Sequence, residues 1–197
     1  PTTPVNALAD RFWEAILELN PTTATLYGDE RYADRLEDPS AEGRARARAL
    51  MVRTGAEASA IDTDGLPTED RITRDMLTVI AELQIAQDDQ RMHELRVVDQ
   101  MAGPQQLLPQ LTQFAPADTP ERLDAFLQRL WAYPAFMAAN TQILHDGRAS
   151  GLTAPRIVAE RTIAQMERMA EIPLEAALVP SMVQVADETD RERIREI

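Results

Sequence analysis

The stretch T-E-D-R-I-T-R-D-M-L-T-V-I-A-E-L, Thr68 to Leu83, decides the fold class. Ile72, Met76, Val79, Ile80 and Leu83 recur at intervals of three and four, the spacing that gathers side chains on one face of an α-helix. Glu69 and Asp70 add negative charge to the first turn, where the helix dipole favours it. The same period continues through Met92 and Leu95, which makes this the longest expected helix, until Gly103-Pro104 breaks it.

Working outward, the period is helical almost throughout. Val5 to Leu19 sets Leu8, Phe12, Ile16 and Leu19 on one stripe, and Asn20-Pro21 ends it because a residue before proline is driven out of helical geometry. Thr22 to Tyr27 forms a further short turn stopped by Gly28. Ser40 caps a helix reaching about Ile61, and Asp62 to Pro67 is a turn. Beyond Gly103-Pro104 comes an amphipathic piece with Leu107, Leu108 and Leu111. Thr119-Pro120 then opens a helix from Glu121 to Tyr133 with Leu123, Phe126, Leu127 and Leu130 as its buried face. Pro134 to Asp146 and Thr153 to Met169 read as two more helices around a turn from Gly147 to Gly151. No segment alternates with period two for the length of a strand. The expected fold is all-α, an array of roughly seven to nine helices.

Length and composition bound the rest. A chain of 197 residues, 44% of them hydrophobic, suffices for one helical domain, residues 1–197, burying about 70% of its unfolded surface. With 33 acidic residues against 20 basic ones, the net charge of −13 repels phosphate backbones and anionic lipid heads, so neither nucleic acid nor membrane is an expected partner. Every basic residue is Arg. Cys is absent, which removes disulfides, thiolate nucleophiles and Cys-ligated metals. No apolar run approaches the roughly 18 residues of a membrane span. The sequence lacks an initiator Met, so an earlier targeting segment leaves the compartment open, cytoplasmic or exported. The terminal D-E-T-D-R-E-R-I-R-E-I starts an amphipathic helix that the chain does not close, and a fold continuing past residue 197 is expected.

Few residues carry recognisable chemistry. In R-M-H-E-L-R-V, His93-Glu94 supplies half of an H-E-x-x-H zinc signature, but Val97 stands where the second histidine belongs. An exposed polar pair on a helix face is the expectation. His145 beside Asp146 reads as a helix-end imidazole, with no Ser in a nucleophile elbow to serve. Adjacent carboxylates at Glu69-Asp70 and Asp88-Asp89 point about 100° apart and make no shared-proton dyad unaided. Met92, Met101, Met137, Met166, Met169 and Met182 read as core filler.

The order of blocks adds a resemblance. F-W-E-A-I-L-E-L-N-P-T-T-A-T-L-Y-G-D-E-R-Y-A-D-R-L-E-D-P-S (Phe12 to Ser40), V-V-D-Q-M-A-G-P-Q-Q-L-L-P-Q-L (Val97 to Leu111), P-E-R-L-D-A-F-L-Q-R-L-W-A-Y-P (Pro120 to Pro134) and G-R-A-S-G-L-T-A-P-R-I-V (Gly147 to Val158) follow one another as in the bacterial family of domain of unknown function 885. The chain resembles that family along nearly its whole length. The resemblance implies the N-terminal part of a larger helical fold similar to carboxypeptidase Taq and other zincins, whose histidine-glutamate zinc motif lies beyond this chain. It implies no catalytic or metal residue here and no cofactor in this chain, zinc being a matter for the parent protein. By the same analogy these helices form a wall or lid of a substrate cleft, and the break with Asp99, Gln100, Gly103 and Gln105 is the candidate for facing it and a peptide substrate, against the alternative of an ordinary interhelical turn at Gly103-Pro104. The implied partners are the remainder of the parent chain, or a second copy, against exposed apolar helices, foremost Leu174, Leu178, Val179, Met182, Val183 and Ile194. The alternative from another class is a self-contained acidic helical interaction module.

Overall fold

Proline, glycine and short polar caps set the helix boundaries. The computed structural model describes residues 3–115, 117–172 and 189. Among them run eight α-helices and no strand: α1 Pro4–Leu19, α2 Pro21–Leu26, α3 Ala41–Ala60, α4 Thr68–Asp89, α5 Met92–Arg96, α6 Leu107–Phe114, α7 Pro120–Ser150 and α8 Arg156–Ala170. Ser40 Oγ accepts from the Gly43 amide at 3.1 Å to cap α3, and Thr119 Oγ1 accepts from the Arg122 amide at 3.4 Å to cap α7 with Pro120 in its first turn. Gly28 and Gly151 take the left-handed conformation expected after a helix end. The apolar residues from Leu174 to Ile194 expected to be exposed lie outside the described residues.

The chain divides into two compact units. The first holds residues 1–19 and 38–93, that is α1, α3 and α4. Leu8, Ala58 and Leu77 form one buried cluster, and Leu50, Met51 and Ala81 another; Phe12, Ile16 and Leu19 pack against them. Small residues set the seam between α3 and α4: a Cβ on Gly55 would lie 3.1 Å from Ala81 Cβ. Arg48 closes its far end on both members of an acidic pair, with Nη1 2.8 Å from Asp88 and Nη2 2.7 Å from Asp89. Arg74 donates to the Ala58 and Ser59 carbonyls at 2.9 and 3.2 Å at the end of α3, the first of which also accepts from the Ile61 amide.

The bulky stripe of α4 does not face this core. Ile72, Met76, Val79 and Leu83 are 54 to 60% exposed and Ile80 36%, whereas Leu77 and Ala81 on another face of the helix are buried. Close backbone approach at Gly55 and Ala58 favours a narrow seam, and the large side chains are left outside. Nor does α4 continue through Met92 and Leu95. It ends at Asp89, and Arg91 takes a positive φ of 55° before α5 begins.

Among the described residues the second unit holds 20–37, 94–115, 117–172 and 189. Leu111, Ala115, Ala117, Leu123, Phe126, Leu127 and Leu130 are its core, with Leu36, Leu107, Leu108 and Phe114 against it. The longest helix is α7, with 31 residues, and Pro134 lies inside it instead of starting a new one. Proline there removes one hydrogen bond and costs about 3 kcal/mol. Burial of Leu123 to Leu130 before it, and of Ile143 and Gly147 after it, keeps the helix continuous. The turn expected from Gly147 is likewise helix as far as Ser150.

Arg129, on the buried face of α7, is 1% exposed. Its Nε donates to the Arg35 carbonyl at 2.8 Å, and its Nη2 to the Thr25 hydroxyl at 2.6 Å and to the Pro21 and Tyr32 carbonyls at 3.1 Å. Burial pushes its pKa down to about 10, while the charges of Glu37 and Asp34 oppose that shift. A depressed pKa on a cation records a cost of holding the charge, present in full below about pH 10, which the hydrogen bonds must offset. Removing the guanidinium takes this donor from three backbone carbonyls. Arg129→Ala is expected to lose about 3 to 5 kcal/mol in urea unfolding. Arg129→Lys should recover only part of that, since an ammonium cannot span both donor positions. A loss under about 1 kcal/mol in Arg129→Ala would remove this role.

Candidate functional site

Asp99, Gln100, Gly103 and Gln105 fall on one loop between α5 and α6, and the structure separates their roles. Asp99 Oδ1 accepts from the Met101 and Ala102 amides at 2.6 and 2.8 Å, a side-chain turn that fixes the loop's start. The Ala102 amide first, and the Met101 amide after it, hold the Asp99 carboxyl below its ordinary value of 3.8, with desolvation opposing. Gly103 donates to the Asp99 carbonyl at 3.1 Å, and Gln105 Nε2 reaches the same oxygen at 2.7 Å. Gly103 has to be glycine, because a Cβ there would overlap the Asp99 carbonyl oxygen and the Gln105 side-chain amide. Gln105 itself is buried. Three of the four candidates thus build the loop instead of facing solvent.

Side-chain amides do the rest of the fastening. Gln106 and Gln165 both donate to the Gln100 carbonyl, at 3.1 and 3.0 Å, and Gln110 donates to the Met101 carbonyl at 3.2 Å. Gln165 Oε1 accepts from Gln105 Nε2 at 3.0 Å, so one α8 side chain holds the loop by both ends of its amide. Tyr133 on α7 donates to the Pro104 carbonyl at 3.0 Å, and burial raises its pKa. A loop whose carbonyls are held this way is preorganised.

Gln100 is the candidate that meets open space. With Arg161, Ala164, Gln165 and Arg168 of α8 it lines a pocket of about 470 Å³. The α8 residues stand at i, i+3, i+4 and i+7, which is one helix face. That spacing is visible in the expected helix from Thr153 to Met169, but nothing in the sequence pairs it with Gln100, which precedes Arg161 by 61 residues.

The other sequence candidates resolve differently. Glu94 is no exposed half of a polar pair: it is buried, and Ser150 Oγ donates to its Oε2 at 2.9 Å. Gly147 makes the room, since a Cβ there would lie 3.2 Å from Glu94 Cβ and 2.6 Å from the Leu152 carbonyl oxygen. Val97, in the place of a second zinc histidine, is buried as well. His145 is exposed five residues before the end of α7. Among the described residues no three His, Asp or Glu side chains gather as metal ligands. Asp70 is buried, accepting from Asn6 Nδ2 at 3.4 Å with Oδ1 while Oδ2 has no partner among the described residues. The methionines expected as filler are not in the core: Met101 and Met166 are exposed, Met92, Met137 and Met169 are half-buried, and Met182 lies outside the described residues.

Two substitutions test the loop. Gly103→Ala is expected to cost about 1 to 3 kcal/mol, because the added methyl collides with backbone and must displace the Gln105 amide. Asp99 contributes stability that is full above the ordinary carboxyl value and is lost as pH falls below it, because its folded-state pKa is the lower of the two. Asp99→Ala should therefore be less stable at neutral pH and show a shallower fall in acid unfolding monitored by circular dichroism. An unchanged acid limb would contradict the turn's role.

The sequence model of the family described as "Bacterial protein of unknown function (DUF885)" matches residues 21–197, starting just after α1. No curated protein matches the chain. With all but its first helix covered by that match, the chain belongs to the bacterial DUF885 family.

Proposed function

We propose that this chain is the N-terminal helical part of a zincin-like metallopeptidase, forming a wall or lid of the substrate cleft while the zinc motif lies outside it. The observation that carries this reading is the face of α4. Five large apolar side chains, Ile72, Met76, Val79, Ile80 and Leu83, stand exposed together on one helix. Contiguous apolar surface of that kind marks a place where more protein packs. The remainder of a longer helical enzyme is the occupant the family resemblance implies; a second copy takes its place when the chain is alone. The preorganised Asp99–Gln105 loop suits a cleft wall, since a positioning surface works best when its own hydrogen bonds are complete. Zinc would then be held by histidines and a glutamate elsewhere in the parent.

The other reading, an acidic interaction module complete in itself, draws on the net charge of −13. The two differ over metal and catalysis. Residues 1–197 are expected to cleave no peptide in a mixed library and to keep no stoichiometric zinc after dialysis, whereas the product of the complete reading frame cleaves and loses activity to a chelator. Retention of one zinc by residues 1–197, lost on His93→Ala, would sink the proposal.

For the α4 face, sedimentation velocity over a concentration range should show self-association of residues 1–197. Val79→Glu with Leu83→Glu should abolish it while changing unfolding stability by less than about 1 kcal/mol, as expected of exposed sites. A concentration-independent monomer would remove the α4 argument.

A further inference from the structure

The pocket beside the loop has a chemistry of its own. In a chain of net charge −13, arginines across the surface are spent on carboxylates: Arg11 on Glu57, Arg46 on Asp38, Arg48 on Asp88 and Asp89, Arg122 on Glu30 and Asp118. Arg161 and Arg168 line the pocket and make no ion pair or hydrogen bond among the described residues. On α8 the neighbours of Arg161 three and four residues away are Ile157, Val158, Ala164 and Gln165, none of them acidic. Glu171, three residues beyond Arg168, is not paired with it.

The two arginines lie seven residues apart, about 10 Å along the helix axis. Between them Ala164 offers only a methyl group, so the surface dips where the two long side chains flank it. Gln165 forms the floor, immobilised by its bonds to the Gln100 carbonyl and the Gln105 amide. The opposite wall is Gln100, whose carbonyl is fixed twice while its side-chain amide makes no hydrogen bond among the described residues. Two guanidinium groups and one free amide around a prebuilt floor form a receptor for a planar anion.

From this arrangement we infer that the pocket between the 99–106 loop and α8 binds the carboxylate of a short peptide. A carboxylate is favoured over phosphate by charge: it brings one negative charge into the field of an acidic chain, where a phosphate dianion brings two. The space of about 470 Å³ leaves room for the end of a short peptide. Arg161 and Arg168 supply the opposing charge and the fork geometry, and the Gln100 amide meets the peptide's own backbone. The peptide as ligand rests on the cleft-wall reading above; the carboxylate preference rests on the pocket alone.

The test is a titration of the ¹⁵N-labelled chain followed through the side-chain amide signals of Gln100 and Gln165. The probes are N-acetyl-Ala-Ala with a free carboxylate, the same dipeptide amidated, and inorganic phosphate. Saturable shifts with the free carboxylate, none with the amide, and at least roughly tenfold weaker binding in Arg161→Gln and in Arg168→Gln are expected, with weakening at high salt. Both arginines are exposed, so these variants keep the fold, and Arg53→Gln in the other unit serves as the unaffected control. Equal binding of the amide, tighter binding of phosphate, or wild-type affinity in the double variant would overturn the assignment. Because no catalysis is measured, failure here leaves the peptidase reading standing, and loss of peptidase activity in the complete protein leaves the pocket standing.

Discussion

One guanidinium organises the second unit. Arg129 shares the buried face of α7 with Phe126, Leu127 and Leu130, yet its own acceptors are oxygens: the Thr25 hydroxyl and the carbonyls of Pro21, Tyr32 and Arg35. Those four residues lie 94 to 108 positions earlier in the chain. Pro21 opens α2 and Tyr32 ends a 3-10 turn, so their carbonyls also accept from the Thr25 hydroxyl and the Arg35 amide, but burying the acceptor capacity that remains on this segment costs free energy unless a further donor arrives. Arg129 is that donor, and the charge it buries is tolerable because the acceptors come with it. Thr22, whose amide and hydroxyl both donate to Glu37, closes the same segment on itself. Leu36 can then pack on the α6–α7 core.

A similar constraint recurs in the 99–106 loop, met there by neutral groups and one carboxylate. Four glutamine amides, one tyrosine hydroxyl and Asp99 satisfy the carbonyls and amides that the break in helix exposes. Glycine enters where backbone must approach backbone, at Gly103 under Asp99 and at Gly147 beside Leu152 and Glu94. The result is a fixed pocket wall, on which the Gln100 side-chain amide makes no hydrogen bond among the described residues and lines the pocket with Arg161 and Arg168. A site assembled on such a wall loses little entropy when a ligand arrives.

The first unit obeys a different constraint. Its helices meet through Gly55, Ala58 and Ala81, and such small contacts bring axes close while leaving bulky residues on other faces outside. Hence α4 presents Ile72 to Leu83 to its surroundings even though their period is that of a core-facing stripe. Exposed ion pairs around this unit, such as Arg11 with Glu57, contribute little to stability. The apolar surface outside it is the larger physical fact.

Local rules read from the sequence alone settled much of this protein. Ser40 and Thr119 as caps, Asn20-Pro21 as the end of α1, Pro120 at a helix start, Gly28 as a left-handed stop and the buried face Leu123, Phe126, Leu127 and Leu130 all follow from interactions within one turn or from a period of 3.6. The all-helical class and the family resemblance were legible for the same reason, because both reside in local pattern. Where long-range packing competes with local preference, tertiary structure decided. Pro134 stays inside α7 because burial on both sides outweighs one missing hydrogen bond. Glu94 is buried because Gly147, 53 residues on, leaves it room. Gln100 lines one pocket with Arg161 and Arg168, where Gln165 ties α8 to the loop. Period tells which residues share a face, and it carries no information about what that face will meet.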